Sequence, residues 1–153
     1  MAKKNKWQVE ELHCTKQVKK TASIILKNRI EGLQLHVEKY FNDCSNENLH
    51  DIRIALRRLR YSMELFFQCY DKKYFMRFYN KVQMLQDLSG SVRDIDITLE
   101  IFNSFNDVDN IKIDEQILNK TSEKKKILEE KFKFELKKFI AGKSFKNFYK
   151  QNI

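Results

Sequence analysis

The chain has 153 residues, 42% of them apolar, with 12 Phe and 6 Tyr, which is enough for one domain with a real core and excludes a disordered polycation. A formal net charge of +9 points to a polyanionic partner: nucleic acid, inorganic polyphosphate or an anionic membrane surface. No proline and only 3 glycines predict an all-α chain, an antiparallel bundle of about five helices, and no run approaches the roughly 18 apolar residues of a membrane span.

Residues 1–6 are polar and read as a disordered N-terminus ahead of a single helical domain over 7–153. The opening MAKKNKWQ lacks the apolar stretch of a secretory leader. Cys14, Cys44 and Cys69 are odd in number and lack metal-ligand spacing, so they read as reduced thiols of a cytoplasmic protein. From about Trp7 to Phe41 runs one long helical pattern, with Val9, Leu12, Val18, Ala22, Ile25, Leu26, Ile30, Leu33, Val37 and Tyr40 on its apolar side. Gly32 marks a bend in it. Lys16, Lys20 and Lys27 form a solubilising outer stripe. A turn over 42–48 offers Ser45 and Asn46 as caps for the next helix.

That helix, Leu49 to Tyr70, is the most informative stretch. Leu49, Ile52, Leu56, Leu59, Met63, Phe66 and Tyr70 are spaced 3, 4, 3, 4, 3, 4, the seam of a core-facing helix. At about 100° per residue, His50, Arg53, Arg57 and Arg60 fall on a second stripe beside the seam, and Arg58 points away from both. The stripe contains no acid. A solvated basic flank is the ordinary reading of such a row. Three arginines favour a site instead, because the guanidinium fork matches phosphate oxygens.

Asp71 caps a third helix over about 72–88, with Phe75, Phe78, Val82 and Leu85 inward and Lys73, Arg77 and Lys81 as a basic row. Ser89-Gly90 reads as a break, and Ser91 with Asp94 as the capping box of a fourth helix reaching about Phe105. Arg93 would then stand in a first turn beside Asp94 and Asp96. After a polar loop over 106–110, a fifth helix spans about Asp114 to Ala141 and stops at Gly142. Its seam is Leu118, Leu128, Phe132, Leu136 and Phe139, and Lys120, Lys124, Lys131 and Lys138 share one flank. The aromatic, basic tail forms a last short helix.

Catalytic patterns are few. Asp94 and Asp96 as metal ligands would suit phosphoryl chemistry, but residues two apart diverge on a helix and no third carboxylate is evident. There is no Walker loop, HExxH or GxSxG. His13 and His36 read as surface or packing residues. The expectation is a non-enzyme with no catalytic residue, metal or cofactor.

The run His50-Asp51-Ile52-Arg53-Ile54-Ala55-Leu56-Arg57-Arg58-Leu59-Arg60 resembles the HxxRVxxRRLR signature of the CHAD family, the conserved histidine α-helical domain. Gly90 to Ile97 resembles its second signature, LGxxRDxDV, with Ser89 in place of the usual Leu. The resemblance is strong over about 49–102. It implies an all-helical bundle that binds inorganic polyphosphate through a basic surface without catalysis. Residue by residue, it implies phosphate contacts at His50, Arg53, Arg57, Arg60 and Arg93. Arg77, Lys81, Lys124 and Lys131 are secondary candidates from the basic rows.

Family members usually hold two related helical repeats in a longer chain, and this one carries features of both. A homodimer is therefore expected, with Phe67, Phe134, Phe145 and Phe148 left over from the seams for its interface. Nucleic-acid binding is the alternative function. It would normally use exposed aromatics for stacking, and the aromatics here lie mostly on seams. A metal-dependent phosphohydrolase is the third reading.

Overall fold

A computed structural model describes residues 15–108 and 111–152, so the expectations of a disordered stretch over 1–6 and of a helix start at Trp7 lie outside the described residues. Five α-helices follow one another: α1 (Lys16–Asn42), α2 (Asn46–Leu65), α3 (Lys72–Val108), α4 (Glu115–Ala141) and α5 (Lys143–Asn152). A 3-10 turn, Phe67–Cys69, joins α2 to α3. No strand occurs among the described residues.

Side-chain oxygens start most of these helices. Thr15 Oγ1 accepts from the Val18 amide at 3.2 Å and Ser45 Oγ from the Asn48 amide at 3.3 Å. Asp71 Oδ1 accepts from Lys73 at 3.0 Å and Tyr74 at 3.3 Å, and Asp114 Oδ1 from Gln116 at 2.8 Å. Thr15 is extended and caps α1, whose first described turn begins at Lys16. It runs unbroken through Gly32.

The expected break at Ser89-Gly90 does not exist, and α3 passes through it for 37 residues. Ser89 Oγ donates to the Gln86 carbonyl and Ser91 Oγ to the Asp87 carbonyl, so both hydroxyls bond back into the helix instead of capping one. Glycine inside a helix costs about 1 kcal/mol relative to alanine. Leu85 and Val92, fully buried on either side, each contribute roughly 1.5–3 kcal/mol. Burial wins, and the helix continues.

At the end of α2 the periodicity slips. The helix stops at Leu65, the 3-10 turn winds more tightly, and Phe67 is buried where Phe66 was expected. Phe67, Phe145 and Phe148 join one aromatic core with Tyr70, Phe75, Phe78 and Phe139, and the Phe78 and Phe148 rings stack at 4.2 Å. Three of the four phenylalanines assigned to a dimer interface are thus core residues, and Phe134 alone of them is exposed. Gly142 ends α4 at φ −72°, and a Cβ there would sit 2.9 Å from the Lys138 carbonyl oxygen, which leaves room for glycine only as the chain turns into α5. Cys69 is disulfide-bonded and Cys44 is free and exposed. The reading of three reduced thiols is corrected there, and with it falls the argument from thiols for a cytoplasmic location.

The helices differ in reach. At 1.5 Å per residue α3 is roughly 55 Å long and α2 about 30 Å. Buried residues of α3 end at Asp96 and those of α4 begin at Phe132. The second half of α3 and the first half of α4 therefore form a hairpin standing beyond the shared core.

Candidate functional site

The Ser45 cap and the seam Leu49, Ile52, Leu56, Leu59 and Met63 fix the rotation of α2, and all five seam residues are buried. That rotation carries Arg53 to the border with α3; Arg53 and Arg60 are half-buried, and His50 and Arg57 are exposed beside them. Two contacts set the register. A Cβ on Gly90 of α3 would lie 3.9 Å from Arg53 Nε, and further along the Tyr79 hydroxyl donates to Glu64 Oε1 at 2.7 Å. The helices are antiparallel, and this register sets His50 opposite Arg93. Gly90 is thus the place where the guanidinium of Arg53 lies against bare backbone.

Charge along the row is unevenly compensated. Arg60 Nε stands 3.2 Å from Glu64 Oε1 without making a hydrogen bond, and its guanidinium lies 5.2 Å from the centre of the Tyr61 ring. Arg93 Nη1 donates to Glu100 Oε1 at 3.1 Å. His50, Arg53, Arg57 and Arg58 form no ion pair among the described residues. Arg58 is exposed on the outer side of α2, off the row, as its helical angle predicts.

The secondary candidates fall elsewhere. Arg77 sits roughly 160° around α3 from Arg93, lining a depression with Tyr74, Lys143 and Phe148 of α5; Lys81 is about 120° away. Lys124 and Lys131 are exposed on the outer face of α4, which packs on α3 and α5. The candidate site is the border between α2 and α3, where Arg53, Arg60 and Arg93 are half-buried and His50 and Arg57 stand exposed beside them. The other four cations do not converge on it.

The two aspartates of the second signature separate. Asp94 is exposed in mid-helix, so it caps nothing, and Arg93 is in no first turn. Asp96 is buried and receives Lys125 Nζ at 2.6 Å. The same ammonium donates to Asn46 Oδ1 at 3.2 Å and lies 3.6 Å from Glu129, which ties the first turn of α2 to α3 and α4. Burial alone would lower the Lys125 pKa; the Asp96 carboxylate outweighs that and holds it above its ordinary value. Asp96 was missed as an anchor, yet a signal existed: it continues the Leu85, Ser89, Val92 seam at a spacing of four. Among the described residues no three His, Cys, Asp or Glu side chains gather as a metal site. His36 Nδ1 is 3.8 Å from Asp51 Oδ2, a contact between α1 and α2.

No described helix is long and apolar enough to cross a membrane. The family model described as CHAD domain matches residues 3–103. No curated protein and no solved structure matches the chain.

Proposed function

The chain belongs to the CHAD domain family, and from that membership we propose that its α2–α3 groove binds inorganic polyphosphate as a module without turnover. The observation that carries the reading is the row itself: Arg53, Arg60 and Arg93 half-buried at the border of two helices, Arg57 exposed beside them, and no acid paired to Arg53 or Arg57. Successive members are one turn apart, about 5.4 Å along the axis, which suits a linear polyanion lying along α2. Each guanidinium presents a fork of donors to phosphate oxygens. His50 adds a further donor at the head of the row, opposite Arg93. The backbone at Gly90 leaves the rim open beside Arg53.

Tyr61 favours the second reading, a nucleic acid. It is exposed beside the row and offers a ring on which a base can stack. Competition separates the two. Labelled polyphosphate bound at fixed salt should resist single-stranded DNA and RNA at equal phosphate concentration, and should weaken steeply as salt rises. Ready displacement by RNA, lost in Tyr61→Ala, would shift the assignment to nucleic acid. A phosphate-release assay with Mg²⁺ should stay at background.

A further inference from the structure

The chain is basic, but its charge is segregated. Residues 94–115 carry seven acids against one base, Lys112, in a protein of net charge +9. This acidic segment forms the α3 arm and the tip of the hairpin, whose α4 arm carries Lys120, Lys124, Lys125 and Lys126. On the hairpin, Ile97, Ile101, Phe105 and Val108 are all exposed and fall within about 80° of one another around α3. Four large apolar side chains in one exposed stripe are uncommon on a surface that stays wet. Asp94, Glu100 and Asp107 border the stripe.

A complementary surface lies on the same molecule. On the outer side of α2, Ile54, Tyr61 and Leu65 share an arc of roughly 40°, with Tyr61 and Leu65 well exposed. Arg57 and Arg58 flank this second stripe on its two sides. One stripe is apolar with acidic borders; the other is apolar with basic borders.

The two stripes also face the same way. Ile97 and Ile101 lie within about 20° of Gly90 around α3, and Gly90 is the residue over which Arg53 leans from α2. The hairpin stripe is therefore the continuation, past the first turn of α2, of the face that carries the arginines. A single face with unlike halves complements itself under a two-fold rotation through the junction.

We propose that the protein forms a two-fold dimer in which the hairpin stripe of each copy docks on the outer face of α2 of the other. Each contact pairs the Ile97, Ile101, Phe105 and Val108 stripe with Ile54, Tyr61 and Leu65, and sets acidic borders against Arg57 and Arg58. One such contact is small beside the roughly 800 Å² per partner of a standard interface, and the two-fold supplies it twice. The occupant is a second copy because the chain's own α2 offers an apolar stripe with basic borders, the complement of the hairpin's apolar stripe with acidic borders. This inference does not depend on polyphosphate binding, and its test is run without any polyanion.

Light scattering on a size-exclusion column should give the wild type a mass twice the 18.5 kDa of the chain, falling towards 18.5 kDa as salt rises. Phe105→Asp on the hairpin and Leu65→Asp on α2 should each raise the dimer dissociation constant about a hundredfold or more, since either change occurs twice per dimer. Both positions are exposed, and unchanged circular dichroism and melting would show that the fold persists. Phe134→Asp, at an exposed aromatic on α4, should leave the dimer intact. Mixing the Phe105→Asp and Leu65→Asp proteins should restore a weak heterodimer through the one contact that neither change touches. A wild-type mass of 18.5 kDa at every concentration overturns the proposal. So does a dimer that survives Phe105→Asp, or one lost equally in Phe134→Asp.

Discussion

Helices α2 and α4 are both rich in cations, and only one of them builds a groove. On α4, Lys120, Lys124, Lys131 and Lys138 stand exposed on an outer flank with Glu123 and Glu130 close by. On α2, Arg53 and Arg60 are half-buried at the border with α3, where the Gly90 backbone displaces part of the water of Arg53, and Arg57 stands exposed beside them. Each helix has one cation held internally, Lys125 by Asp96 and Arg60 by Glu64. What differs is the setting of the rest. Lysines in open solvent are screened and mobile, whereas arginines held half-buried lose less freedom when an anion arrives. The comparison teaches that a count of positive charges locates no site; the wall beside them does.

The largest expected effect concerns the internal tether of α4. Asp96→Asn leaves Lys125 without its buried carboxylate and should cost about 3 kcal/mol of stability by denaturant unfolding. A loss below about 0.5 kcal/mol, the scale of an exposed pair, would mean that the ammonium escapes to water, making α4 loosely held as well as exposed.

Binding gives the direct contrast. Arg57→Ala should weaken polyphosphate binding by about 1–3 kcal/mol, as for a charge-assisted hydrogen bond to a desolvating anion. Arg58→Ala should cost clearly less, and Lys131→Ala on α4 no more than about 0.5 kcal/mol. Equal losses at all three in calorimetric titration would make the interaction diffuse and abolish the distinction between the helices.

Gly90 tests the wall itself. A methyl group 3.9 Å from Arg53 Nε is an ordinary contact, so Gly90→Ala should raise stability by up to about 1 kcal/mol while binding holds near wild type. Gly90→Leu should push Arg53 off the groove and weaken binding. Unchanged binding in the leucine variant would show that the α3 wall contributes nothing.

The smallest effect is alkaline. Burial first, and then the hydrogen bond to Glu64, raise the Tyr79 pKa above its ordinary 10.0. A pKa raised on folding gives stability that is complete below pH 10 and declines as pH rises beyond it, because the unfolded state releases its proton first. Tyr79→Phe should flatten the fall in melting temperature above pH 10; an identical slope would assign it to Tyr40 and Tyr70, whose phenols burial also raises.

Much of this was legible in residue order. The seam of α2, the stripe beside it and the outward angle of Arg58 follow from about 100° per residue, a local regularity that packing did not alter. The caps at Ser45 and Asp71 were equally readable, because each side chain bonds an amide two or three residues on. The failures share a cause. Gly90 was read as a stop because glycine and serine end helices when only local terms count, yet α3 continues because Leu85 and Val92 are buried on both sides of it. Phe67 was assigned to the surface because the 3.6-residue period was extended through a turn that winds more tightly. Asp94 was taken for a capping-box acid at a helix start that does not exist, since α3 is continuous there. The sequence by itself determined the helical class, the two signatures and the composition of the arginine row, all set by spacing along one helix. Only the tertiary structure decided that Gly90 gives Arg53 its place, that Asp96 anchors Lys125, and that a hairpin of α3 and α4 outreaches the core, since each depends on what a different helix brings alongside.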